Sequence, residues 1–216
     1  MIRLSSTVKN IIEKNALLRQ GMKENILNLS EVARKIHPLV ETRVKKEVKI
    51  SSLVLTLSRL NKHYFNQGKF NSIDYKLKKI TSYSGLTIIT FDNNKELEEK
   101  ILTIHSFIKS KNSYITLSYG LSEITVIIEQ KYSQYLLQKI KAPAKNIQEN
   151  IAALGVSFEE KYFHYSGLLH AIIKSISWQN INIWEVSSTF TEFVCYIDSK
   201  NSRLCFDTLH KQFMTY

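Results

Sequence analysis

The stretch "NINIWEVSSTFTEFVCYID", residues 180–198, decides how this chain is read. Apolar residues alternate through Ile181, Ile183 and Val186, the pattern pauses at Ser187-Ser188-Thr189, and it resumes at Phe193, Cys195 and Ile197. Alternation with period two predicts strands, so this is a strand pair about a tight corner. Before it, Leu168, Leu169, Ile172, Ile173 and Ile176 recur at helical spacing; after it, the stretch from Ser199 to Phe213 does the same.

The same order occurs once earlier. "GLTIITF" (85–91) reads as a strand and 95–109 as a helix carrying Leu97, Ile101, Ile104 and Ile108 on one side. "SYITLSYGLSEITVIIEQ" (113–130) supplies two strands about Gly120, and "KYSQYLLQKI" (131–140) a second helix. The pattern breaks at Ala142-Pro143-Ala144 and then restarts with "LGVSFEEKYF". At an offset of 69 residues Glu123 falls on Glu192, Ile128 on Ile197, Lys131 on Lys200, Ile104 on Ile173 and Ile140 on Leu209. A fixed period of this kind indicates a duplicated β-α-β-β-α unit, and antiparallel sheets with helices on one face give an α+β architecture.

The first 80 residues differ in character. They hold 17 Lys/Arg against 6 Asp/Glu, whereas the remainder has 13 of each, so the net charge of +11 lies wholly in this segment. A charge excess confined to one segment points to a polyanionic partner, with a solvated helical face as the plainer reading. Val8, Ile11, Ile12, Leu17 and Leu18 predict a first helix ending near Gly21. Ser30 is expected to cap a second, with Glu31 in its first turn and Pro38 dividing it. A third, capped by Ser51 or Ser52, turns Leu53, Val54, Leu57 and Leu60 inward and leaves Ser52, Thr56, Arg59 and His63 in a row. With Lys45, Lys46, Lys49 and Lys62 beside that row, the three helices suggest a helix-turn-helix-like module whose first-choice partner is duplex DNA.

The segment "YFHYSGLLHAIIKSISWQNINIWEVSSTFTEFVCYIDSKNSRLCFDTLHKQF" (162–213) resembles the second of the tandem ACT domains at the C-terminus of aspartokinases. The likeness lies in a glycine-containing loop entering a helix, an "NIN" entry to the second strand, a "SSTFTE" corner and a final helix with "LH". Residues 80–141 resemble a degenerate first ACT domain. The resemblance implies two tandem ACT-like (βαββαβ) domains, 73–145 and 146–216, behind the helical module at 1–72. It also implies that paired domains bind an amino acid and report it to an attached module.

The residues themselves suit such a ligand. Backbone amides at Gly167 and Leu168, beside Ser166, open a helix and can meet a carboxylate. The side-chain amides of Asn180 and Asn182 can donate and accept, or can serve only as turn chemistry between helix and strand. Thr189, Thr191 and Glu192 line the corner. Departures from the family pattern are plain: "HYSGLL" lacks the proline that often precedes the glycine. In the first repeat Leu97 and Glu98 stand at the positions of Ser166 and Gly167, and Ser113 at that of Asn182. A final strand is missing after the last helix. "SIDYKLKKITSYS" (72–84) or a second chain would supply it.

Few features point to catalysis. With six glycines there is no Gly-rich phosphate loop, and no nucleophile elbow or zinc signature is present. Cys195, Cys205 and the six scattered histidines lack metal-ligand spacing, so no cofactor is expected and the cysteines read as small buried hydrophobes. No signal-like start and no run of about 18 apolar residues occurs, so a cytoplasmic protein without a membrane partner is expected. The sequence thus predicts a non-enzymatic, amino-acid-sensing regulator, a homodimer, coupled to DNA. The alternative is a detached regulatory subunit that controls a biosynthetic enzyme such as an aspartokinase.

Overall fold

The computed structural model describes residues 3–71 and 75–214, less the side chains at 65 and 67–71. The chain divides into two compact units, 1–74 and 75–216. The domain boundary expected at 72/73 lies outside the described residues.

The first unit comprises α1 (Leu4–Lys14), α2 (Ala16–Lys23), α3 (Leu29–Val44) and α4 (Ile50–Asn71). Its core holds Val8, Ile12, Met22, Ala33, Val40, Leu53 and Leu57, all fully buried. The expected single helix ending at Gly21 is two helices. Asn15 separates them, its side chain accepting from the Leu18 amide at 3.0 Å as the α2 cap. Gly21 lies inside α2, where a Cβ would stand 2.5 Å from Leu27 Cδ2, so close approach rather than termination requires the glycine.

Asn28, not Ser30, caps α3, accepting from the Ser30 and Glu31 amides at 3.1 and 3.3 Å. Nor does Pro38 divide the helix: α3 runs unbroken through it. Pro38 and Arg34 are both exposed, so the carbonyl deprived of its donor faces water, while Val32, Ala33, Ile36 and Val40 hold the opposite side in the core. Lys45 then turns left-handed (φ 55°), and the turn into α4 is clamped by α3. Glu41 Oε1 accepts from the Val48 amide at 2.9 Å, and His37 Nε2 meets the Val48 carbonyl at 2.6 Å. The helix that follows is longer than expected, at 22 residues.

The second unit is a six-stranded antiparallel sheet with four helices. Its strands are β1 (Leu77–Asp92), β2 (Ile115–Tyr119), β3 (Glu123–Glu129), β4 (Asn146–Phe158), β5 (Ile183–Ser188) and β6 (Glu192–Asp198). The helices are α5 (Lys95–Ser110), α6 (Ser133–Ile140), α7 (Leu168–Ser177) and α8 (Ser202–Phe213). The 69-residue offset recurs in the element starts: β1 at 77 and β4 at 146, β3 at 123 and β6 at 192, α6 at 133 and α8 at 202. Glu129 and Asp198, which lead into the last helix of each half, share φ −58° and ψ 133°.

Strand order is β2-β3-β1-β4-β6-β5. The missing final strand is supplied within the chain. Leu77 to Tyr83 of β1 pair with Phe158 to Ala153 of β4, whereas Ile89 and Thr90 pair with Ile147 and Asn146. Each long strand therefore opens its own half and completes the other. Gly85, at φ 78°, sits at the register shift between Tyr83 and Leu86 that redirects β1 from one half to the other. The expected boundary at 145/146 falls at the start of β4, inside this shared pairing.

One sheet face carries the helices. Ile89, Phe91, Ile124, Val126 and Ile128 pack on α5 and α6, and Leu154, Val156, Phe193, Cys195 and Ile197 pack on α7 and α8. The sheet curls, and its helix-free face buries Leu86, Ile88, Ile127, Ile151, Ala153 and Tyr196. Burial from both sides explains why β3 reads "EITVIIE" rather than alternating.

Candidate functional site

Gly167 enters α7 in the left-handed region (φ 113°), without a side-chain cap. The Ala171 amide bonds the Gly167 carbonyl at 2.8 Å, so the preceding amides of the first turn point outward without a helical acceptor. Two residues preceding β1 fix this entry. Tyr75 Oη donates to the Ser166 carbonyl at 2.8 Å and stands 3.2 Å from where a Cβ on Gly167 would lie. The Lys76 amide donates to Tyr162 Oη at 3.2 Å, and the Tyr75 and Tyr162 rings meet edge-on at 5.5 Å. Burial pushes the Tyr75 phenol up, which keeps the hydroxyl a donor. Sequence reasoning missed the role of Tyr75, which it placed in the candidate strand 72–84, because its partner Ser166 lies 91 residues away.

The corner lies at the same end. The Thr189 amide bonds the Glu192 carbonyl at 2.9 Å, the Phe158 amide bonds the Thr191 carbonyl at 3.0 Å, and Phe190 packs on Phe163 of the α7 entry loop with ring centroids 4.9 Å apart. Ser166, Gly167, Leu168, Thr189, Thr191 and Glu192 thus gather at one end. Leu168 itself is buried and offers only its backbone.

Asn180 and Asn182 stand at the other end of α7, which is 10 residues or about 15 Å long. Asn180 is left-handed (φ 55°), and its amide bonds the Ser177 carbonyl at 3.0 Å. Asn182 is exposed between buried Ile181 and half-buried Ile183. One small molecule at the α7 entry does not reach either asparagine of the same chain.

In the helical unit, Lys45, Lys46, Lys49, Ser52, Arg59, Lys62 and His63 are all exposed. Thr56 is half-buried, and its hydroxyl donates to the Ser52 carbonyl at 2.8 Å, so this donor serves the helix. Ser52, Thr56, Arg59 and His63 keep one face of α4 by their spacing. The free thiols of Cys195 and Cys205 are buried in the α7/α8 core. The Cys195 thiol is pushed up by Cys205 and by burial, which makes it inert. Among the described residues no cluster of three or more His, Cys, Asp or Glu could hold a metal, and no helix is long and apolar enough to cross a membrane.

No family model matches this sequence, and no curated protein does. Solved structures do match. The aspartate kinase of Clostridium acetobutylicum superposes with a TM-score of 0.55 at 14% identity, over 67% of this chain and 37% of that one. The ligand-free regulatory subunit of aspartate kinase from Thermus thermophilus gives 0.53 at 8% identity, over 64% of this chain and 99% of that one. E. coli aspartokinase III in complex with aspartate and ADP gives 0.52 at 9% identity, over 67% and 35%. The chain spans about a third of the length of the whole kinases and nearly all of the regulatory subunit. At these identities the shared property is the fold, that of aspartokinase regulatory domains.

Proposed function

We propose that this chain is a non-catalytic regulator in which two interlocked ACT-like halves, 73–145 and 146–216, bind an amino acid and a basic helix-turn-helix-like unit, 1–72, carries the response. The observation that carries the reading is the match to nearly the full length of a protein that is a regulatory subunit alone. Supporting it, the α7 entry offers unpaired amides to a carboxylate, while Thr189 and Thr191 at the neighbouring corner offer acceptors to an ammonium; Glu192, at the same end, turns by strand alternation to the helix-free face of the sheet. Asn180 and Asn182 serve a ligand at the opposite end of α7, or only the turn. Screening the twenty amino acids by thermal unfolding of the full chain tests this: one or more should raise the midpoint, and none doing so would remove the sensing role.

For the output, exposed cations on and before α4 favour duplex DNA. A second reading has the chain dock on a biosynthetic enzyme. It is favoured by similarity, TM-score 0.52 over 97% of that chain, to a structure of aspartokinase alpha and beta subunits. DNA binding that weakens by orders of magnitude from ~50 to ~200 mM salt selects the first reading, and its absence at low salt selects the second. We further propose a homodimer. The final strand comes from within the chain, so the positions left for pairing are the edge strands β2 and β5.

A further inference from the structure

On the helix-free face of the second half, three strands contribute to two adjacent rows. Lys79, Ser157 and Glu192 form one; Thr81, Gly155 and Val194 form the next. Between them lies a cavity of about 170 Å3. Its floor is Gly155, where an added Cβ would stand 2.8 Å from Thr81 Oγ1 and 3.7 Å from Val194 Cγ2.

The internal repeat shows what this place contains when it is filled. At the 69-residue offset Gly155 corresponds to Leu86 and Ser157 to Ile88, both buried in the core on the same face of the first half. Glu192 corresponds to Glu123, which Lys145 Nζ holds at 2.5 Å. The second half thus replaces two large aliphatic side chains by a glycine and a serine. Neither Glu192 nor Lys79 is ion-paired or hydrogen-bonded through its side chain among the described residues. Opposite charges flank the cavity from the two outer strands, whose backbones are about 10 Å apart, two strand spacings.

We infer that this cavity binds a small free α-amino acid, with its carboxylate at Lys79, its ammonium at Glu192 and a short aliphatic side chain over Gly155 between Thr81 and Val194. A ligand with one charge would leave one of the two flanking groups unmatched. The volume equals the share of about six water molecules, room for a small amino acid. The Ser157 hydroxyl supplies a further polar contact, while the Thr81 hydroxyl donates to the Gly155 carbonyl at 3.3 Å and is left to accept. The inference rests on the amino-acid-sensing reading for the class of ligand, and on the cavity for its place, which is not the α7 entry.

The test is calorimetric titration of the full chain with alanine, serine, valine and leucine, each beside its amine and acid counterparts lacking carboxylate or ammonium. One amino acid should bind and its counterparts should not. Gly155→Val, which fills the floor with a residue suited to a strand, should abolish binding, and Glu192→Gln and Lys79→Met should each weaken it about tenfold or more. Should Gly155→Val fail to fold, the two surface variants decide. Unchanged affinity in all variants that fold overturns this site while leaving amino-acid sensing in place. An absence of binding by any of the twenty amino acids overturns both.

Discussion

Tyr75 Oη bonds the carbonyl of Ser166 at 2.8 Å across 91 residues of sequence, so the loop that enters α7 is held by the residue that leads into β1. Tyr75→Phe removes this hydrogen bond but keeps the ring on Tyr162. Loss of one such bond should cost about 1 kcal/mol, with a larger rise in amide exchange at Ala171, whose amide bonds the Gly167 carbonyl, than in the later turns of α7. Urea unfolding and hydrogen exchange measure the two effects. Uniform exchange along α7 would show that Tyr75 does not position the entry.

Glu129 is the most strongly perturbed carboxylate of the sheet. The Lys131 ammonium at 2.5 Å, the Tyr114 amide at 2.9 Å and the Tyr83 hydroxyl at 2.7 Å all favour its charged form and hold it at about 2 against an ordinary 4.5. Because the folded value is depressed, the stabilisation is present in full above pH 4.5 and is lost as pH falls from there through about 2. Lys131 is largely exposed, so solvent reduces the effect to on the order of 1–2 kcal/mol. Stability of Glu129→Gln, measured by denaturant titration at stepped pH, should depend less on pH across this window than the wild type.

Gly21→Ala should destabilise the helical unit although alanine is the better helix former. The gain of up to about 1 kcal/mol in propensity is outweighed by overlap with Leu27, whose relief by movement costs about 1–3 kcal/mol. In the Leu27→Ala background the overlap is gone, and Gly21→Ala should become neutral or stabilising. A double-mutant cycle on unfolding free energies measures this coupling, and additivity would refute it.

How much of this was legible in sequence depends on how local the cause was. The repeat was readable because Glu123–Glu129 and Glu192–Asp198 carry the same pattern at one offset. The helix ends were less so. Asn15 and Asn28 outcompete Gly21 and Ser30 through side-chain bonds to amides two or three residues on, and all four residues are plausible terminators by type. Pro38 inside α3 reflects tertiary packing of its opposite face overriding a local penalty. The exchange of strand halves at Gly85 was legible only as two alternatives, since pairing partners are not a property of a single segment. The cavity over Gly155 was hidden for the same reason: its residues come from three strands, and the register shift between Leu77 and Lys79 determines which β1 residues share its face.

The last expectation concerns the basic unit. Arg59 and Lys62 are exposed on α4, and neither side chain is paired with a carboxylate among the described residues, so their charges are available to a phosphate backbone. Arg59→Ala with Lys62→Ala should leave the melting temperature of the unit nearly unchanged, because neither residue belongs to its core. If both contact phosphates, affinity for random duplex DNA should fall, and the slope of log affinity against log salt should become shallower by about 1.8, two contacts at about 0.9 each. Fluorescence anisotropy between ~50 and ~200 mM salt gives both quantities. A fall in affinity with the slope unchanged would mean that the cations act through another surface. Unchanged affinity and slope would remove this face of α4 from any nucleic-acid interface, leaving Lys45, Lys46 and Lys49 in the preceding turn as the group to vary next.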